Sequence, residues 1–154
     1  MRFHTSKSEI ARDIISEARL TVKESMTEDL VFLRPTDSVH ELRTLMERKG
    51  IRHVPVIDEH HSLVGICSQR DMLRSVLSSF AKIASSESAE IERTIPVAYV
   101  MNEIVATASS KSPLSQVASL MLNHKFGCIP IVDGRRIRGI VTRGDFLNLF
   151  ANGF

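Results

Sequence analysis

The chain is written twice, and no other feature of its sequence constrains the fold as much. Sliding it by 75 positions places Val22 on Val97, Met26 on Met101, Leu45-Met46 on Leu120-Met121, Pro55 on Pro130 and Asp58 on Asp133. After Asp58 the first copy has one extra residue, EHHSLVG against GRRIRG, and the offset becomes 74. Gly65, Ile66, Asp71 and Leu73 then meet Gly139, Ile140, Asp145 and Leu147. A fixed offset that keeps Pro, Gly and Asp in step marks a structural repeat.

Each copy reads as the same series of elements. A short apolar strand (Val31-Phe32-Leu33; Val105-Ala106-Thr107) leads into a turn, RPTDS or SSKSP. Apolar residues at helical spacing follow: Val39, Leu42, Leu45 and Met46, or Leu114, Val117, Leu120 and Met121. The runs VPVID and IPIVD read as buried strands closed by an acidic turn, and a hairpin leads to a third strand, LVGIC or IRGIV. A last helix opens at Ser68 or Thr142 and carries Met72, Leu73 and Leu77, or Phe146, Leu147 and Phe150.

The expected fold is therefore α/β, with two tandem β-α-β-β-α repeats. Each is too small to cover its own sheet, so the two are expected to pack as a pseudo-twofold pair. The expected domains are an N-terminal amphipathic helix over 1-20, a first repeat over 21-80, a Ser- and Glu-rich linker over 81-94 and a second repeat over 95-154. The linker, with the tail of the preceding helix, reads as solvated.

Composition narrows the function classes. Lys plus Arg number 20 against 18 Asp plus Glu, with no Trp and one Tyr, so neither a nucleic acid nor a membrane surface is an expected partner. No apolar run approaches the ~20 residues that span a bilayer, and the charged N-terminus lacks a signal-peptide core, so a cytoplasmic location is expected. Cys67 and Cys128 sit in apolar runs without CxxC spacing and read as small core hydrophobes, not metal ligands. His60-His61 falls at a hairpin tip where the second copy has Arg135-Arg136, which favours a solvated turn over a metal site. GxSxG, HExxH and GxxxxGK[ST] are all absent from the sequence, and an enzyme is not expected.

The residues that carry chemistry open the last helix of each copy. Ser68 with Asp71, and Thr142 with Asp145, fit [ST]-x-x-[DE] before an apolar run, which is a helix capping box. A capped helix N-terminus also has free N–H groups and partial positive charge, the ingredients of a phosphate site. The cap and the ligand site are compatible readings of the same residues.

The ordered set resembles the CBS domain family, the modules named after cystathionine beta-synthase. The resemblance rests on the Met that starts each repeat (ESMTEDL, YVMNEIV), the VPVID and IPIVD strands, and the closing GICSQRD and GIVTRGD, and it runs from about Val22 to Phe150. It implies a Bateman module: a pair of repeats that binds AMP, ATP or a related adenosyl ligand in clefts between them, dimerises, and regulates a partner. Within the family's G-x-x-[ST]-x-x-D pattern, Asp71 and Asp145 are expected to accept from ribose hydroxyls, and Ser68 and Thr142 to donate to phosphate. Adenine is expected against the backbone of the opposite repeat, near Ile51-Arg52-His53 or Phe126-Gly127-Cys128.

Arg52 and Arg70 flank the first motif where the second has Gly127 and Gly144, so the first looks better suited to a polyphosphate. Arg143 partly compensates in the second. The expectation is a non-catalytic regulatory or sensor module, a homodimer acting on a separate effector protein. It has no catalytic cofactor, and its ligand is AMP, ADP or ATP, with NAD and S-adenosylmethionine in the same class. The alternative is a ligand-free scaffold of the same fold. Degenerate clefts would mark a scaffold, yet both Asp residues and both hydroxyls are present.

Overall fold

The computed structural model describes residues 20–80 and 85–152. Apart from Leu20, the helix expected over 1-20 lies outside the described residues. In chain order the elements are a 3-10 turn at Val22–Glu24, α1 (Val39–Lys49), β1 (His53–Ile57), β2 (Leu63–Ser68), α2 (Gln69–Phe80) and α3 (Ser85–Thr94). A second 3-10 turn at Val97–Tyr99, α4 (Leu114–His124), β3 (Cys128–Asp133), β4 (Arg136–Thr142) and α5 (Arg143–Asn152) follow. Contacts divide the chain into two units. The first joins the segment ending at Leu30 to Ala106–Gly134 and the chain from Arg138; the second is Val31–Val105 with Arg135–Ile137.

In the second unit β1 and β2 form an antiparallel pair, with His53 opposite Ser68 and Val56 opposite Gly65. Helix α1 begins at a reciprocal cap: Glu41 N donates to Ser38 Oγ, and Ser38 N donates to the Glu41 carboxylate. It ends at Gly50, whose φ of +63° is a left-handed conformation that glycine adopts without strain. Val39, Leu42 and Met46, on one face by their spacing, pack with Val54, Val56 and Cys67. Val97 and Val100, far along the chain, complete this core.

The stretch read as a solvated linker is helical over Ser85–Thr94. Glu92 on α3 is buried and takes a two-pronged ion pair from Arg43 on α1, at 2.8 and 2.7 Å. That pair also raises the Arg43 pKa, through the hydrogen bond to Glu92. With few apolar residues on α3, the ion pair supplies a contact that apolar spacing does not reveal.

In the first unit β3 and β4 pair, and α4 ends at Lys125, with φ of +57°. Val22 packs with Leu114, Val117, Met121, Ile129, Ile131 and Val141. The two units are joined internally in the same way. Leu114 N donates to Leu20 O and Val22 N to Ser112 O in one; Val39 N donates to Ile95 O and Val97 N to Asp37 O in the other.

The opening strands are shorter than expected. Each is a single parallel bridge, Leu33 to Val56 and Ala108 to Ile131, the second lying one residue beyond Val105-Ala106-Thr107. Turns cut the ladders short: Arg34 N donates to the Asp37 carboxylate, and Ser110 N to that of Asp133. Burial pushes both thiols, Cys67 and Cys128, up to about 12, which fits packed hydrophobes and not nucleophiles.

Candidate functional site

In the second unit β2 delivers Ser68 to the start of α2, and Asp71 stands in the first turn of that helix. Asp71 N donates to Ser68 Oγ at 3.1 Å, and Ser68 Oγ donates to Asp71 Oδ2 at 2.5 Å. Gln69 N donates to Arg52 O at 2.8 Å, and His53 pairs with Ser68 across the ladder. The structure thus brings Arg52 and His53 beside Ser68 and Asp71 within one unit. Ile51 packs half-buried against the core, while Arg52 and Arg70 are exposed.

The first unit repeats the arrangement with different chemistry. Thr142 N and Thr142 Oγ1 both donate to Asp145 Oδ2, at 2.6 and 2.9 Å. Phe126 stacks on His124 with ring centroids 5.4 Å apart, and Cys128 is buried at the start of β3. Gly127 precedes it, half-buried. Arg143 donates through Nη2 to Lys125 O at 3.3 Å, which directs its guanidinium to the backbone.

In both units the hydroxyl proton goes to the carboxylate. The helix N–H donates to the hydroxyl at Ser68–Asp71, while Thr142–Asp145 shows the reciprocal half of the capping box, Thr142 N donating to the Asp145 carboxylate. Donation from Ser68 or Thr142 to a phosphate requires the hydroxyl to rotate away. The helix N-terminal N–H groups remain an anion-attracting feature beside it.

The structure adds residues that the motif left out. Thr27 Oγ1 lies 3.5 Å from Asp145 Oδ1, and Thr27 bridges Ile140 on β4. In the second unit Asn102 bridges Ile66 on β2. Each follows the Met that starts its repeat, and that shared position was the signal in the sequence.

Each Met is seated by a strand glycine. A Cβ on Gly65 would stand 2.6 Å from Met101 Sδ, and one on Gly139 would stand 2.8 Å from Met26 Sδ. A cavity of about 230 Å³ in the first unit is lined by Thr107, Gln116, Asn123 and His124 among others, and by none of the motif residues. Among the described residues no group of three His, Cys, Asp or Glu could hold a metal ion. No described helix is long and apolar enough to cross a membrane.

The CBS domain family's sequence model matches residues 12–78 and 97–152. The protein YlbB of Bacillus subtilis (strain 168) is 31% identical over 125 residues, covering 80% of this chain and 78% of its own. Two curated relatives from Methanocaldococcus jannaschii also match, and the chain spans 34% and 47% of their lengths. Among solved structures, CBSX2 in complex with AMP is 28% identical with a TM-score of 0.71, over 86% of this chain and 96% of that one. The CBS domain pair of protein MJ0100, in complex with 5'-methylthioadenosine and S-adenosyl-L-methionine, is 27% identical with a TM-score of 0.71, over 86% and 97%. The two matched segments, on the two copies of the motif, make this chain a tandem member of the CBS domain family.

Proposed function

We propose that the protein is a non-catalytic regulatory module that binds an adenosine-containing ligand at its two motifs, AMP, ADP or ATP above all. NAD and S-adenosylmethionine belong to the same class. The observation that carries this reading is the twice-built pair of hydroxyl and carboxylate at a helix N-terminus: Ser68 with Asp71, and Thr142 with Asp145. Asp71 and Asp145 accept from the ribose hydroxyls. Ser68, Thr142 and the helix N–H groups face the group carried on the ribose 5′ carbon, a phosphate in AMP, and the backbone at Ile51-Arg52-His53 and Phe126-Gly127-Cys128 flanks the base. The AMP held by CBSX2 and the adenosyl ligands held by MJ0100 support the ligand class.

Thiol-based catalysis is disfavoured because burial pushes both thiols up to about 12. The ligand regulates through its affinity difference between two arrangements of the chain, which an effector protein reads. A ligand-free scaffold would use the two carboxylates only as helix caps.

The test separates a binding carboxylate from a cap. Asp→Asn keeps size and an acceptor, so the cap should lose only about 0.5 kcal/mol. A ribose diol would lose a charge-assisted bond of about 1.5–3 kcal/mol. Asp71→Asn and Asp145→Asn together should weaken AMP binding by roughly ten- to a hundred-fold in calorimetry while barely moving the melting point. Unchanged affinity would make both residues caps and nothing more.

The same reading includes a homodimer built on the last helices, where Leu73, Leu147 and Phe150 are 41%, 69% and 45% exposed. Light scattering at about tens of micromolar should give twice the chain mass. A monomer mass would exclude it.

A further inference from the structure

The two motifs stand at equivalent positions, but their surroundings differ in charge. Arg52, Arg70 and Arg74 lie at the Ser68–Asp71 motif, all exposed and none in an ion pair with a described residue. The repeat puts Gly127, Gly144 and Asn148 in their places. Arg70 and Arg74 are one helical turn apart and share a face of α2.

The segments that start each repeat differ in the same sense. Asn102 is followed by Glu103 and by Ile104, which is 91% exposed; Thr27 is followed by Glu28 and by Asp29, both exposed acids. The first unit has a cation of its own, Arg143, next to Thr142. It keeps its charge but donates through Nη2 to Lys125 O, so the second motif is less basic than the first and not free of cations. One motif thus has three cations and one flanking acid. The other has one cation, Arg143, and two flanking acids.

We propose that the two motifs are specialised: the Ser68–Asp71 motif takes a phosphorylated adenosine nucleotide, and the Thr142–Asp145 motif takes an adenosyl compound that lacks phosphate. Arg52 and Arg70 are the residues that set this difference, since guanidinium groups match phosphate oxygens and an acidic rim repels them. Exposed Ile104 adds apolar surface beside the first motif, where the second has a carboxylate. The inference deepens the adenosine-ligand reading above and rests on it.

Calorimetry on the full chain tests it, with AMP and S-adenosylmethionine as probes. AMP binding should be lost in Asp71→Asn and kept in Asp145→Asn, and S-adenosylmethionine should show the reverse. Arg52→Gln with Arg70→Gln should weaken AMP roughly ten- to a hundred-fold and leave S-adenosylmethionine unchanged. These side chains are exposed, so the fold should tolerate the change.

Gly144→Arg should create AMP binding at the second motif. A Cβ there meets only Thr142 Oγ1, at an ordinary 3.5 Å. AMP binding equally at both motifs, or indifferent to the two arginines, would overturn the specialisation and leave the adenosine reading intact. If neither probe binds the wild-type chain, the adenosine reading itself fails and this inference falls with it.

Discussion

Gly65 and Gly139 occupy matching places in the repeat, yet their neighbours differ in how far they can yield. An added Cβ at Gly65 meets first the end of the Met101 side chain, with the backbone oxygen of Asn102 at 3.2 Å. At Gly139 it meets Met26 Sδ and, at 2.9 Å, the backbone oxygen of Thr27. A methionine tip can turn aside; a carbonyl held by the bridge between Thr27 and Ile140 cannot. Gly139→Ala should therefore cost about 2–3 kcal/mol and Gly65→Ala about 1 kcal/mol, within the range for overpacked cores. Urea denaturation of both variants reads the difference. Met101→Ala should offset part of the Gly65→Ala cost, whereas Met26→Ala should not relieve the clash with the Thr27 oxygen. Equal costs, or the reverse order, would mean that the Thr27 strand gives way freely, and its place beside Asp145 would lose its support.

Helices and strands were legible wherever burial wrote a period into the sequence. Val39, Leu42 and Met46 mark α1 at helical spacing, and VPVI and CIPIV mark β1 and β3 as continuous apolar runs. The motifs were legible as well, because a capping box needs fixed residues at fixed spacing. What escaped had no period. Helix α3 is tied to α1 by an ion pair between residues 49 positions apart, and the pair leaves no pattern at either end. The opening strands read as three residues because β-branched and apolar residues favour extension, but each makes a single bridge. Thr27 escaped because its partner, Asp145, is 118 positions away, and only the fold brings a hydroxyl of the first copy to the carboxylate of the second.

The repeat as read along the sequence and the unit as packed begin at different residues, and this decides what can fold alone. Val22, fully buried, belongs to the core built on α4 and β3; Val97, its equivalent, belongs to the core built on α1 and β1. A piece cut at the start of the first repeat, 21–95, would carry Val22 without its partners and lack Val97, Val100 and Met101. It would also lose the bridge between Ile66 and Asn102 and the bond from Val97 N to Asp37 O. A piece of equal length shifted by ten residues, 31–105, keeps every one of those contacts. Small domains have little stability to spare, so removing two buried valines at about 1.5–3 kcal/mol each should abolish cooperative folding. The expected outcome is a sigmoidal urea transition, followed by circular dichroism, for 31–105 and a gradual, non-cooperative loss of signal for 21–95. Equal cooperativity in the two pieces would show that the late segment Val97–Asn102 is dispensable to the core it completes, and that the packed unit is no more a folding unit than the written repeat.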